Sequence, residues 1–237
     1  YNGSSYSDIG FDSNGDLDVS AIATHCGSND GFVSKWYSQG SSTKTFTQTN
    51  VSQMPQIYDG TSQSVIFSNG KPQIQGTSMV ADSRRVIMSL SNAQSINGAS
   101  SAHNFIVMQR STTNVFEQNS VLAWGRFGNN NDARYVTQGG NAGTARVGSG
   151  LHIDGVSNSS TAKNTFHSAL GANPRIVSSV QNYDRTNLNP SQSKTFLGAD
   201  NFGMSMHHLQ EFLVFDSSMS NNRVEIESNQ NAYFNVF

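Results

Sequence analysis

Phe105-Ile-Val-Met108 and Phe212-Leu-Val-Phe215 are among the longest apolar runs of this 237-residue chain, and each has the length of one β-strand. Other short apolar or alternating runs are separated by clusters of Gly, Asn and Ser. They include Gly31–Tyr37, Ser64–Phe67, Ser120–Trp124, Arg175–Gln181 and Lys194–Gly198. Many short strands with turn-forming residues between them are typical of a β-sandwich or a β-barrel. The pattern therefore predicts an all-β fold.

The composition leads to the same fold class. Ser, Asn and Gly supply over a third of the residues, and only 13% of the residues are charged. Helices disfavour these small polar residues, and soluble helical proteins carry about a quarter charged residues, so a helical bundle and a doubly wound α/β enzyme are not expected. The 14 Phe, 7 Tyr and 2 Trp supply the large apolar area of a core. One β-sandwich domain over residues 1–237 accounts for the length.

Two segments have helical rather than strand periodicity. Asp18–His25 starts with a good N-cap residue and ends before Gly27. Asn221–Phe234 opens with Asn222 and Glu225 at the spacing of a capping box. The residues predicted to point inward from this second helix are Val224, Ile226 and Tyr233. We therefore expect two short helices that flank the β region.

Charge and hydropathy argue against nucleic acid and membranes as partners, and the cysteine content argues against a disulfide. The net charge is −2 and the isoelectric point is near 6.3, so no basic field for nucleic acid is expected. No stretch approaches the 18 apolar residues of a membrane span, so membrane insertion is not expected either. Cys26 is the single cysteine, which predicts a buried, unreactive thiol and no disulfide within the chain.

The order of four segments resembles a known superfamily. The segments are Asp8-Ile-Gly-Phe-Asp-Ser-Asn-Gly-Asp-Leu-Asp18, Gly31-Phe-Val-Ser-Lys-Trp-Tyr-Ser-Gln39, Gln53-Met-Pro-Gln-Ile-Tyr-Asp-Gly60 and Leu209-Gln-Glu-Phe-Leu-Val-Phe-Asp216. They are similar to the concanavalin A-like lectin/glucanase (laminin-G-like jelly-roll) superfamily, in particular to a subgroup of phage structural proteins and bacterial surface proteins. The resemblance implies a jelly-roll β-sandwich with two flanking helices and an extracellular or virion-surface location.

Members of that subgroup carry an additional outer strand before the segment that corresponds to Asp8-Ile-Gly-Phe11. This chain lacks most of it. We therefore expect that a neighbouring polypeptide supplies the missing N-terminal strand or that the chain is a piece of a longer polypeptide, because an unpaired sheet edge promotes aggregation.

A more distant resemblance is to the catalytic domain of family 54 α-L-arabinofuranosidases. Cys26 corresponds to a Cys-containing turn there and Trp36-Tyr-Ser-Gln-Gly40 to the end of a strand, although Ser38 replaces the Asp of the family. Gly198-Ala-Asp-Asn201 is similar to the segment that holds the general acid, which makes Asp200 a candidate acid. Glycoside hydrolysis needs a second carboxyl group, for which Asp132 and Glu211 are the candidates. The chain has only four Glu and none between Trp124 and Gly150, where the nucleophile of the family lies. We therefore assign no catalytic residue.

Two polar loops have the residue types that bind sugars. Sugar recognition needs planar polar groups for the hydroxyls and an aromatic ring for the apolar face of the pyranose. The candidate ligand-binding residues are Arg126, Phe127, Asn129, Asn130, Asp132, Arg134 and Tyr135 in the first loop, with Asp200 and Asn201 in the second. The alternative is that these Asn- and Gly-rich loops only form turns.

Asp12, Asn14, Asp16 and Asp18 place oxygen ligands at alternate positions, as the first half of a calcium loop does. Leu17 stands where an EF-hand has Gly, and Ala23 stands where it has the bidentate Glu. A tight turn at Asn14-Gly15, followed by the N-cap Asp18, is the alternative that needs no metal. The cofactor expectation is therefore none, with Ca²⁺ as the possible exception.

These observations favour a non-catalytic module on a virion or a cell surface. On a virion the module would be part of a tail, fibre or capsid-decorating protein. We expect it to bind a glycan or a host receptor and to contact neighbouring chains of a larger assembly. The alternative is a glycoside hydrolase that resembles the α-L-arabinofuranosidases.

Overall fold

The computed structural model describes residues 1–40, 45–76, 88–90, 101–110, 120–124, 133–136, 149–159, 168–182, 195–196, 208–215 and 217–237. Over these residues the chain consists mostly of β-strands in antiparallel sheets, with few helices. This confirms the predicted all-β class.

The described elements are short. The helices are α1 (Val19–Cys26) and α2 (Arg223–Phe234), with a 3-10 helix at Val51–Gln53 and helical residues at 168–170. The strands are β1 (Gly31–Phe32), β2 (Lys35–Tyr37), β3 (Thr45–Thr47), β4 (Gln56–Asp59), β5 (Ser64–Val65), β6 (Phe67–Ser68), β7 (Lys71–Pro72), β8 (Met88–Leu90), β9 (Ser101–Gln109), β10 (Ser120–Trp124), β11 (Ala133–Val136), β12 (Ser149–Ile153), β13 (Val156–Ser157), β14 (Pro174–Asn182), β15 (Thr195–Phe196) and β16 (His208–Phe215).

Two larger sheets form the β region. One has five strands in the order β13-β12-β14-β9-β16, and the other has four in the order β15-β8-β3-β2. Strands β1, β4 and β5 form a smaller sheet, and β6-β7 and β10-β11 form two-stranded pairs. The longest pairing joins β9 to β14 without a bulge, from Ser101 opposite Asn182 to Gln109 opposite Pro174.

Strand β9 lies at the centre of the protein and is covered on both faces. The six residues from His103 to Met108 are each at most 1% exposed. Ile106 and Met108 belong to the main core cluster on one face, whereas Val107 packs with Phe234 of α2 on the other. A strand that is buried on both faces needs apolar residues at successive positions, which explains why the run at 105–108 does not alternate.

The four-stranded sheet covers the first of these faces. Trp36 of β2 and Phe46 of β3 pack against the core cluster that contains Ile106 and Met108. The ring centroids of Phe46 and Phe212 are 6.4 Å apart in an edge-to-face arrangement, a favourable geometry for aromatic pairs. The two larger sheets therefore contact each other through side chains of β2, β3, β9 and β16.

Helix α1 follows its prediction closely. The Asp18 side chain caps it by accepting a 2.9 Å hydrogen bond from the Ala21 N–H, and Gly27 ends it with a φ of +59°. Cys26 is buried against Tyr58, as predicted. Burial raises the pKa of the Cys26 thiol above its usual value, so the thiol stays protonated at neutral pH.

Helix α2 is present as predicted, but its orientation differs from the prediction. Val224 and Tyr233, predicted to point inward, are 61% and 42% exposed, and the Asn222 side chain makes no capping hydrogen bond. The helix instead buries Glu227, Gln230 and Phe234, which share one face. The reason is that the sheet surface beneath α2 carries polar groups that pair with Glu227 and Gln230.

Two side-chain hydrogen bonds hold α2 on the sheet, and an ion pair within the helix supports one of them. Glu227 accepts a 2.5 Å hydrogen bond from the Ser178 hydroxyl and pairs with Arg223 one turn earlier. Gln230 donates a 2.8 Å hydrogen bond to the Glu211 carboxylate. Neither α1 nor α2, nor any other helix within the described ranges, has the length and apolar character needed to cross a membrane.

We expect Arg223→Met to lower the free energy of unfolding more than Glu227→Gln does. Losing Arg223 leaves a carboxylate that is 4% exposed without its cation, which costs about 3 kcal/mol. Glu227→Gln keeps an acceptor for Ser178, and Arg223, at 17% exposed, can reach water more easily; we expect a loss of about 1 kcal/mol. Urea denaturation at pH 7 measures both values. Equal losses, or the reverse order, would contradict this account of the helix.

His103 is a buried polar residue on the face of β9 that α2 covers. It is 1% exposed, its Nδ1 accepts a 3.0 Å hydrogen bond from the Met219 N–H, and its ring stacks on Phe105. Burial lowers the pKa of His103 to about 4, and the positive charges of His152 and Arg223 act in the same direction. The folded protein therefore keeps this imidazole neutral.

The pKa of His103 in the folded protein lies below the ordinary histidine value of 6.5, so its contribution to stability is complete above pH 6.5 and is lost as the pH falls towards 4. The loss over this window is on the order of 3 kcal/mol. His103→Asn retains an acceptor for Met219 but does not titrate. We expect urea midpoints measured from pH 7.5 to 4 to fall less steeply for this variant than for the unmodified protein. An unchanged slope would show that another group controls the acid sensitivity.

Candidate functional site

An open groove of about 490 Å³ lies along the hairpin formed by β4 and β5. This volume is within the range of about 300–1,000 Å³ that is usual for small-molecule sites. The residues that line the groove are mostly polar and come from three separate segments of the chain. They are Asp30, Gln56, Asp59, Thr61, Ser62, Ser64, Val65, Ile66, Phe67 and Gln75.

The turn of the hairpin forms one wall. Asp59 Oδ1 accepts a 2.9 Å hydrogen bond from the Thr61 N–H, and Oδ2 accepts one of 2.9 Å from the Ser62 hydroxyl. This is the local bonding by which Asp residues initiate turns. The Ser62 and Ser64 hydroxyl oxygens are 2.8 Å apart, so the turn presents a linked set of hydroxyl and carboxylate groups to the groove.

A close backbone contact brings Asp30 to the same wall. Asp30 Oδ1 accepts a 2.9 Å hydrogen bond from the Gly60 N–H. A Cβ atom at position 60 would lie 2.5 Å from the Asn29 carbonyl carbon and 2.6 Å from the Ser28 oxygen. Only glycine allows this approach, and the approach places two carboxylates, Asp30 and Asp59, in the lining of one groove.

Gln56 and Gln75 lie opposite each other on neighbouring segments. Their backbones exchange two hydrogen bonds, of 3.0 Å from Gln56 N and 2.7 Å from Gln75 N, so their side chains stand on the same face. Gln56 Nε2 donates to the Tyr58 carbonyl, and within the described residues the Gln75 amide has no hydrogen-bond partner. Each amide group offers both a donor and an acceptor to a ligand.

Phe67 supplies an exposed aromatic ring to this polar lining. It lies on β6 opposite Pro72 of β7 and is 49% exposed. An exposed ring and planar amides in the lining of one groove are the residue types that sugar recognition uses, because a ring packs against apolar C–H groups while amides pair with hydroxyls.

The groove is negatively charged. The Thr61 N–H and then the Ser62 hydroxyl lower the pKa of Asp59, which keeps this carboxyl ionised. None of the described residues that line the groove is Lys, Arg or His. A lowered pKa suits a hydrogen-bond acceptor and is the opposite of what a general acid needs.

Most of the predicted sugar-binding residues cannot be compared with this groove. Arg126, Phe127, Asn129, Asn130 and Asp132 lie outside the described residues, as do Asp200 and Asn201. The other two are on β11, where Arg134 pairs with Ala123 of β10 and Tyr135 pairs with Leu122. These assignments stay predictions.

Asp12, Asp16 and Asp18, three of the predicted calcium ligands, take part in hydrogen bonds within the protein. Asp12 Oδ1 accepts hydrogen bonds from the N–H groups of Asn14 and Asp16, at 2.8 and 3.0 Å, while Asp18 caps α1. Asp16 pairs with Lys71 at 3.2 Å and accepts a hydrogen bond from Tyr233. Within the described ranges, no three His, Cys, Asp or Glu side chains are grouped so that they could hold a metal ion.

Glu211, a candidate partner for Asp200 in catalysis, lies beneath α2. Its carboxylate accepts a hydrogen bond from Gln230, and burial raises its pKa above the usual value for Glu. It is not part of the groove lining. The other two carboxylates considered for catalysis, Asp132 and Asp200, lie outside the described residues.

The groove was not predicted from the sequence. The Asp59-Gly60 turn signal is visible in the sequence, and it is followed by three hydroxyl residues and then by Phe67. The pairing of Gln75 with Gln56 has no such signal, because it joins two segments that are 19 positions apart in the chain. The site therefore depends on a long-range contact.

Comparison with known proteins identifies no relative. No protein-family model, no curated protein sequence and no solved structure matches this chain.

Gly60→Ala should destabilise the groove wall. The added methyl group would overlap the backbone of residues 28 and 29, and overpacking of this kind costs about 1–3 kcal/mol. Gly10→Ala is the matched control, because a Cβ atom at Gly10 has no atom within 4 Å. Thermal unfolding followed by circular dichroism should show a lower Tm for Gly60→Ala alone. A similar Tm for the two variants would argue against the close contact.

Proposed function

We propose that this protein is a non-catalytic, glycan-binding module whose binding site is the groove beside the β4-β5 hairpin. The observation that carries the proposal is the combination in one groove of the Gln56 and Gln75 amides with the exposed ring of Phe67. The Ser62 and Ser64 hydroxyls and two carboxylates add further groups that can pair with sugar hydroxyls.

We further propose that the scaffold is a concanavalin A-like jelly-roll β-sandwich. The face-to-face contact of a five-stranded and a four-stranded antiparallel sheet supports this assignment. The sequence resemblance to that superfamily supports it independently. The same resemblance is the basis for proposing a virion or cell-surface location, with neighbouring chains of an assembly as partners.

The proposed role is binding rather than catalysis for a reason found in the groove itself. A glycosidase needs one carboxyl group with a raised pKa to act as the acid. The bonds from Thr61 and Ser62 shift the pKa of Asp59 in the opposite direction. The pKa of Glu211 is raised, but this residue does not line the groove. Its carboxylate accepts a hydrogen bond from Gln230 under α2.

A glycan array followed by calorimetry on the best ligand tests the proposal. We expect Phe67→Ala to lower the affinity about tenfold through loss of the ring contact, and Gln75→Ala to lower it by a similar factor. Phe11→Ala is the matched control, since Phe11 is also an exposed phenylalanine, at 55%, but does not line the groove. Each measurement is made with and without a chelator, which reports any requirement for calcium.

The proposal fails if no sugar binds to the unmodified protein. The groove assignment fails separately if a sugar binds and both Phe67→Ala and Gln75→Ala retain full affinity, because the ligand would then occupy another surface.

A further inference from the structure

The charge of the groove narrows the class of glycan, provided that the groove is the glycan site proposed above. Among the described residues that line it, Asp30 and Asp59 are the ionisable side chains, and both are acidic. Asp59 has a hydrogen bond on each oxygen, from Thr61 and from Ser62. A group with these partners carries its negative charge at neutral and mildly acidic pH.

The basic residue on the adjoining hairpin does not offset this charge. Lys71 lies on β7, next to the strand that carries Phe67. Its ammonium group is 3.2 Å from Asp16 Oδ1 and 3.6 Å from the centre of the Tyr233 ring, so it is held by a carboxylate and an aromatic ring outside the lining. Among the described residues that line the groove, the two carboxylates are therefore the charged groups.

The bonds of Asp30 leave part of its carboxylate available. Asp30 Oδ1 accepts the Gly60 N–H, and Oδ2 has no hydrogen-bond donor among the described residues. A ligand ammonium group could pair with this oxygen in a charge-assisted hydrogen bond, which is about twice as strong as a neutral one. A ligand carboxylate or sulfate would instead be repelled by both aspartates.

We propose that the groove selects saccharides that carry a free amino group, binds their neutral counterparts more weakly and rejects uronic acids and sulfated sugars. The ammonium group pairs with Asp30 and Asp59, the ring hydroxyls pair with the amides of Gln56 and Gln75, and the apolar face of the sugar packs on Phe67. Because the selectivity is electrostatic at a partly exposed site, it weakens as the salt concentration rises.

The test is a glycan array at pH 6 that presents each saccharide backbone in three forms: the free amine, the N-acetylated amine and the uronic acid. Calorimetry then gives Kd for the three forms of the backbone that binds best. We expect the free amine to bind about tenfold more tightly than the acetylated form, and the uronic acid not to bind. Raising the salt concentration in the assay from about 50 mM to about 500 mM should reduce the preference for the free amine over the acetylated form.

Two isosteric variants assign the selectivity to the groove. Asp30→Asn and Asp59→Asn each keep the oxygen that accepts a backbone N–H and remove one charge. We expect each to reduce the preference for the free amine severalfold, with little change in affinity for the acetylated form. Asp12→Asn is the matched control, because it removes one charge from an exposed turn outside the groove.

The outcomes separate this inference from the proposed function. If the acetylated form or the uronic acid binds as tightly as the amine, or if both aspartate variants keep the full preference, the inference is wrong and glycan binding stands. If no form of any backbone binds, the proposed function fails and the inference fails with it.

Discussion

Burial of β9 on both of its faces is the constraint on which the rest of the structure depends. The side chains from His103 to Met108 are almost fully withdrawn from water, and β9 lies between β14 and β16 in the five-stranded sheet. One face of β9 requires the aromatic residues of β2 and β3, and the other requires α2. Each covering layer therefore has its position set by this strand.

The same sheet also positions the groove. Ile74 and Leu209 exchange backbone hydrogen bonds of 2.8 and 2.9 Å, which attaches the segment before Gly76 to β16. Gln75, the next residue, pairs in turn with Gln56 of β4. The Gln210 amide donates to the carbonyls at positions 68 and 71, on the two strands of the hairpin that carries Phe67. The segments that carry Gln75 and Phe67 are thus attached to β16, at the edge of the five-stranded sheet. A rigid site reduces the entropy lost on binding.

Helix α2 shows where sequence periodicity is insufficient. The predicted end at Phe234 agrees with the helix Arg223–Phe234, whereas the Asn222 side chain does not form the predicted capping hydrogen bond. Of the three apolar residues predicted to face inward, Val224 and Tyr233 are exposed and Ile226 is half-buried. Glu227 is buried because Arg223 and Ser178 satisfy its carboxylate, and a sequence pattern does not show such partners. Val224 has no comparable pocket and lies in solvent.

The sequence by itself determined the all-β class and the helix from Val19 to Cys26, because each depends on residues that are close together in the chain. The tertiary structure alone decided the pairing of Gln56 with Gln75, the close approach of Gly60 to residues 28–30 and the polar inner face of α2. These features join distant segments, so their energies come from contacts formed only when the whole sheet is assembled. The candidate site belongs to this second group, since its chemistry arises where three separate segments meet.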